Sequence, residues 1–253
     1  MTNHPQSTIH MNLCIDQGNS RTKIAIFEGD RLKKHIIYKH FTSSDVERIF
    51  SLYPIDNAII SSVANIEPSV VNALHRLSKR FVLFDHTTPI PIKNGYDTPA
   101  TLGQDRLAAA VGASRIYPSE NILIVDVGSA ITYDVVTDQN EYIGGNIAPG
   151  LKMRFSSLQQ LTKKLPYVEV EAEELIPLLG KNTHDAIAAG VIRGTIFEVK
   201  GYMRALSERM SHYQTIITGG HSHYITKYIE SAQVEKHLVL IGLNTILNYN
   251  EHA

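Results

Sequence analysis

The 253-residue sequence predicts an α/β protein made of two similar lobes that face one another across a cleft. Three observations carry this. Short apolar runs alternate with segments of helical spacing, a strand–turn–strand pattern whose first strand ends in Asp recurs 110 positions further on, and 43% hydrophobic residues suffice to fill a sizeable core.

The first strand begins at about Met11 and ends in Asp16. A polar turn follows, then a strand over 21–27, a hairpin turn at Glu28-Gly29-Asp30 and a third strand to Tyr38. Residues 44–53 have helical spacing behind a Ser/Asp capping cluster, 58–63 read as a buried strand, 68–79 as a helix opened by Pro68, and 81–84 as another strand. Gly103 to Arg106 opens a helix through Ala108, Ala109, Ala110 and Ala113. Residues 121–126 form an apolar strand ending in Asp126, followed by a strand through 131–136, a turn at 137–140 and a strand near Tyr142. Residues 144–150 are too rich in Gly and Pro to be regular. A helix comes next, and the acidic stretch 169–174 reads as a solvated loop or helix end. Asn182 or Thr183 caps a long helix over 184–210, residues 214–218 form a strand leading into Gly219-Gly220, and a final helix is centred on 242–249.

Aligning Leu13-Cys14-Ile15-Asp16-Gln17-Gly18-Asn19-Ser20 with Leu123-Ile124-Val125-Asp126-Val127-Gly128-Ser129-Ala130 matches strand, Asp and Gly in register. Two copies are too few for a solenoid, so a duplicated domain follows, with lobes at 11–117 and 118–253 and the tail completing the second.

Composition narrows the function. Twenty-four Lys and Arg against 25 Asp and Glu leave a formal charge of -1, and no basic stretch is interleaved with aromatics, which argues against a nucleic-acid partner. Cys14 is the only cysteine and reads as a small core residue in a reducing compartment. Residues 1–10 are polar, lack a secretory apolar stretch and read as a loose extension without a function. No run of about 18 apolar residues could span a membrane, so a cytoplasmic protein is expected.

An Asp at the end of a buried strand, followed by a Gly turn, offers a carboxylate for hydrated Mg²⁺ and backbone N–H groups for phosphate oxygens. Asp16-Gln17-Gly18-Asn19-Ser20-Arg21-Thr22-Lys23 adds an amide, two hydroxyls and an ammonium, the parts that bind an anionic polyphosphate. Gly219-Gly220 permits close approach of a ligand to the backbone, and serves equally as a plain helix-end device. His221 and His223 read as surface residues rather than a metal pair. Asp105 and Arg106, in a first helical turn, can cap and salt-bridge. In a phosphoryl-transfer site the same pair has other tasks: the carboxylate accepts a proton from the attacking hydroxyl and the guanidinium clamps an anion.

Together these motifs resemble the type III pantothenate kinases, members of the acetate and sugar kinase, Hsc70 and actin superfamily. Asp16 to Lys23 fits the family's D-x-G-N-[TS]-x-x-K element, Gly103 to Arg106 its G-x-D-R, Asp126 to Thr132 its D-x-G-[TS]-A-x-T, and Gly144 to Gly150 its G-G-x-I-x-P-G, in the family's order. The resemblance implies duplicated actin-like ATPase (ribonuclease H-like) domains around a nucleotide cleft. It implies ATP-dependent phosphorylation of pantothenate to 4'-phosphopantothenate, the first step toward coenzyme A. By the same resemblance, Asp105 is the proton acceptor; Tyr96, Gly103, Gln104, Asp105, Arg106 and Thr183 contact pantothenate, Thr183 within a homodimer. Asp16, Gln17, Gly18, Asn19, Ser20, Arg21, Thr22, Lys23 and Ser129 would bind ATP, Asp16 would serve Mg²⁺, and Asp126 a monovalent cation, K⁺ or NH₄⁺. Ser20 and Ser129 stand where threonine is commoner, and Gln104 where alanine is often found, which adds bulk beside the substrate. A non-catalytic regulatory relative, or a kinase for another small hydroxy acid, are the other readings.

Overall fold

Leu13, Cys14 and Ile15 are wholly buried, as a central strand covered on both faces requires. This strand, β1 (Met11–Gln17), pairs antiparallel with β2 (Thr22–Glu28) and parallel with β4 (Asn57–Ser62); β3 (Arg31–Tyr38) and β5 (Arg80–Leu83) form the edges, giving the order β3-β2-β1-β4-β5. The structure, a computed structural model, describes residues 10–62, 65–210 and 212–251. Residues 1–9 of the expected extension, and Val63 at the end of the expected strand, lie outside the described residues. One face of the sheet, through Leu13, Ile15, Ile24 and Ile26, packs on α1 (Ser43–Leu52) and α2 (Pro68–Leu77) through Val46, Ile49, Val70 and Leu74. Each such fully buried side chain contributes about 1.5–3 kcal/mol.

The second sheet repeats the plan. β7 (Ile122–Val127) pairs antiparallel with β8 (Ala130–Val136) and parallel with β10 (Gln214–Thr218), while β9 (Glu141–Pro149) and β11 (Gln233–Val234) flank them. Its order, β11-β10-β7-β8-β9-β6, is that of the first sheet read from the other end, with the short β6 (Lys93–Asn94) added beside β9. Even the irregularities recur: the pairing slips between Ile26 and Phe27 in one copy and between Val135 and Val136 in the other. Each copy turns its second hairpin through a left-handed residue, Gly29 (φ 58) or Asn140 (φ 57). This sheet packs through Val125, Val127, Ile131 and Tyr133 on α5 (Thr183–Ser207), α4 (Leu151–Leu161) and the short α6 (His223–Thr226). The duplication inferred from the sequence is thus a duplication of topology.

Several expectations change. Residues 144–149 are not irregular: they form most of β9, because each pairs with β8 and hydrogen bonding by a neighbour outweighs Gly and Pro content, with Gly144 (φ 122) beside the register slip and Gly150 left as the cap of the next helix. The cap of α1 is Thr42, one residue before the Ser/Asp cluster, in a reciprocal box with Asp45. Of the two candidates for α5, Asn182 is the cap, accepting from the Asp185 N–H at 2.9 Å.

The lobe boundaries also differ. One compact unit comprises the chain up to Pro91, Asp97–Arg115 and everything from Val239 on; the other comprises Ile92–Tyr96 and Ile116–Leu238. The last helix, α7 (Leu238–Tyr249), therefore belongs almost wholly to the first unit instead of completing the second. Its buried residues Val239, Leu240, Leu243, Ile246 and Leu247 need a hydrophobic surface, and helical periodicity does not say which sheet supplies it. No helix among the described residues is long and apolar enough to cross a membrane.

Candidate active site

Asp16, one residue before the end of β1, is 7% exposed. The following turn closes when the Gly18 N–H donates to the Arg21 carbonyl at 3.1 Å. The hairpin register sets Lys23 opposite Asp16, with Lys23 Nζ 3.8 Å from Asp16 Oδ2. Burial pushes the Asp16 carboxyl up to about 6; the Lys23 charge works against this, and the negative charge of Asp105 adds to it. Asn19, Ser20 and Arg21 face solvent at the tip. With Gln17, Gly18 and Thr22 they line a depression of about 310 Å³ that Lys39 and His40 also border.

Asp105 is the second residue of α3 (Gln104–Ile116), in the same unit. Its Oδ1 bends back over the helix start to accept the Arg106 N–H at 2.9 Å, and an ideal Cβ on Gly103 would stand only 2.6 Å from that oxygen. Glycine at 103 is what makes room for this carboxylate. Arg106 is 6% exposed, a cation held in a largely desolvated place. Gln104 donates from Nε2 to the Leu102 carbonyl at 3.2 Å, while its Oε1 is buried without a hydrogen-bond partner among the described residues. An acceptor in that state suits a ligand that donates to it.

The second unit holds the matching turn. Asp126 is one residue before the end of β7, and the Gly128 N–H donates to the Ala130 carbonyl at 3.0 Å. Two glycines press on it. Gly219, at φ 94, has its ideal Cβ position 2.4 Å from Asp126 Oδ1, and that of Gly150 lies 2.1 Å from the Ser129 carbonyl oxygen. Gly219 is therefore required by both conformation and space, whereas a Cβ on Gly220 meets nothing within 4 Å. The His221 N–H donates to the Val127 carbonyl at 2.9 Å and its Nδ1 lies 3.2 Å from the Gly128 carbonyl oxygen, so this ring sits on the turn; His223 instead packs on Tyr224, ring centroids 4.2 Å apart. Sequence reasoning missed the role of Gly150, although its place after Pro149 in the G-G-x-I-x-P-G segment marked it.

Tyr96 also lies in the second unit, its ring 6.1 Å from that of Tyr142, and Thr183 is the exposed first residue of α5. The structure thus gathers Asp16 to Lys23 and Gly103 to Arg106 into one unit, and places Tyr96, Asp126, Ser129 and Thr183 in the other.

A sequence profile described as type III pantothenate kinase matches residues 12–205. A protein of Phocaeicola vulgatus named type III pantothenate kinase is 40% identical over 242 residues, spanning 95% of this chain and 99% of its own. Among solved structures, the Campylobacter jejuni protein described as a Baf family transcriptional activator superposes with a TM-score of 0.64 at 21% identity, covering 95% of this chain and all of its own. The ROK hexokinase of Thermus thermophilus does so at 0.51 and 11% identity, covering 96% and 100%, which shows that it shares the two-sheet fold. With its paired Asp-x-Gly turns, its G-x-D-R helix start and full-length likeness to these relatives, the chain belongs to the type III pantothenate kinase family.

Proposed function

We propose that this protein transfers the γ-phosphoryl group of ATP to the primary hydroxyl of pantothenate, yielding 4'-phosphopantothenate at the head of coenzyme A synthesis. The observation that carries this reading is the pairing, in one unit, of the Asp16–Lys23 turn with the Asp105–Arg106 helix start, close enough for the two carboxylates to repel. In phosphoryl transfer the protein's work is positioning and charge neutralisation. Asp105 accepts the hydroxyl proton as the bond to phosphorus forms, Arg106 clamps the pantothenate carboxylate, and Lys23 with the N–H groups of the 18–21 turn holds the polyphosphate. By the family resemblance Ser129 is assigned to the nucleotide, Tyr96 and Gln104 to pantothenate, and Thr183 to pantothenate within a homodimer.

Two cations suit the residues present. Repulsion between Asp16 and Asp105 is relieved by a divalent ion, and among the described residues no group of three or more His, Cys, Asp or Glu forms an all-protein cage. That matches Mg²⁺, which keeps its waters and takes one or two carboxylates together with substrate phosphates; when bound it supplies charge neutralisation at the transferring group. Asp126 offers a carboxylate oxygen, a hard donor suited to K⁺ or NH₄⁺. A homodimer is supported by the exposed apolar side chains of Ile147, Met153 and Phe197 on β9, α4 and α5. A cytoplasmic location accords with the reducing chemistry of a lone buried Cys14.

The test is incubation with ATP, Mg²⁺ and pantothenate, with K⁺ or Na⁺ as the sole monovalent cation, following 4'-phosphopantothenate by mass. Product that depends on K⁺ supports both the reaction and the role of Asp126. ATP binding without product would move the regulatory or other-substrate readings ahead.

A further inference from the structure

The sequence profile ends at residue 205, well before α7, yet α7 touches the helix that carries Asp105 more closely than side chains allow. An ideal Cβ on Gly242 would stand 1.8 Å from the Ala108 carbonyl oxygen, 2.6 Å from its carbon and 3.0 Å from the Gly112 nitrogen. These are backbone atoms of α3, so no rotamer change relieves the overlap. Ala108 lies one helical turn after Asp105.

The rest of α7 is keyed to β1. Asn12 donates from Nδ2 to Asn244 Oδ1 at 2.9 Å and to Asn248 Oδ1 at 2.6 Å, Asn57 donates to Asn12 Oδ1 at 3.2 Å, and Asn244 donates to the Gly29 carbonyl at 2.9 Å. Asn12, Asn57 and Asn244 are 0%, 5% and 2% exposed, so sliding α7 along the sheet would strand buried amides without partners. Asn12 shares a face of β1 with Asp16, by the two-residue period of a strand. One end of the contact is thus fixed by hydrogen bonds to the strand that carries Asp16 near its end, the other by backbone contact with the helix that carries Asp105 in its first turn.

We infer that α7 is the spacer that sets Asp105 relative to Asp16, and that Gly242 is a positioning residue for phosphoryl transfer. The inference rests on the reading of Asp105 as proton acceptor. A Cβ at 242 pushes α3 away and acts on turnover through Asp105.

The experiment measures kcat and KM for Gly242→Ala, Asp105→Asn and the double variant of the full chain, with Gly201→Ala in α5, where a Cβ meets nothing within 4 Å, as control. Gly242→Ala is expected to lower kcat by about 10- to 100-fold with KM for ATP within about twofold, because a displacement near 1 Å at a reacting group has that effect. In the Asp105→Asn background the further loss is expected to be under about twofold, since both changes remove the same contribution. Gly201→Ala is expected to match the parent. Unchanged kcat in Gly242→Ala, or a loss that multiplies fully with that of Asp105→Asn, overturns the role of α7 alone. Near-normal turnover of Asp105→Asn removes the proton acceptor, and the inference falls with it. If Gly242→Ala does not fold, the half-buried Asn248→Ala is expected to lower kcat about threefold with the same non-additivity, and an additive loss there overturns the proposal equally.

Discussion

The loop after β10 closes directly over the carboxylate of Asp126: an ideal Cβ on Gly219 would stand 2.4 Å from Asp126 Oδ1. At φ 94 the backbone there is also one that only glycine adopts without strain. Gly219→Ala is expected to lower stability by about 1–3 kcal/mol and to blunt activation by K⁺, while Gly220→Ala changes stability by less than about 0.5 kcal/mol. Thermal melting of the two variants side by side, with the K⁺ dependence of turnover, checks both statements.

Asp16→Asn separates stability from activity. The buried carboxyl binds its proton more tightly in the folded chain than in the unfolded one, so its ionisation opposes folding. That penalty is full above about pH 6, shrinks as the pH falls toward 4, and is absent below. The ligand-free variant is expected to gain on the order of 2–3 kcal/mol at pH 8 and almost nothing at pH 4, while turnover falls at least about 100-fold. Denaturant melts at the two pH values decide it, and equal stability of variant and parent at pH 8 would contradict the burial argument.

Asp105→Asn keeps shape and removes the proposed base, and is expected to lower turnover by about two orders of magnitude or more with ATP still bound. Gly103→Ala should approach this in milder form, about tenfold, because the new methyl group would stand 2.6 Å from the Asp105 Oδ1 and crowd it aside. Steady-state kinetics beside nucleotide titration by calorimetry would expose a variant that had lost binding instead.

Gln104 carries a buried Oε1 without a hydrogen-bond partner among the described residues. If pantothenate donates a hydrogen bond to it, Gln104→Ala raises KM for pantothenate by about 5- to 10-fold with kcat unchanged. A lower KM would mean that the side chain obstructs the pocket.

The duplicated plan was legible because Asp16-x-Gly18 and Asp126-x-Gly128 each end an apolar run, and a shared local pattern implies a shared local fold. The same residues marked the candidate site, since carboxylate, glycine turn and ammonium are chemistry that side-chain types declare by themselves. What escaped the sequence was decided by distant neighbours. Gly144 to Pro149 looks irregular by composition and becomes a strand only because β8 offers its hydrogen bonds. The ownership of α7 was hidden for a similar reason, although Asn244 and Asn248, one turn apart in a mostly apolar helix, advertised a need for polar partners that Asn12 meets. Thr42 lost to the Ser43-Ser44-Asp45 cluster because all four suit a cap, and only the extended backbone at 42 selects among them.

Because α7 belongs to the first unit, that unit is completed late in synthesis. The ribosome releases β1 and α3 first and then all of the second unit, so the second unit can reach its final form while the first still lacks its closing helix. Until α7 docks, Asn12 and Asn57 lack the partners it brings, and the Ala108 turn of α3 stands uncovered. A nascent chain halted before residue 238 would expose that surface to chaperones, and catalytic competence would arrive only with the closing helix.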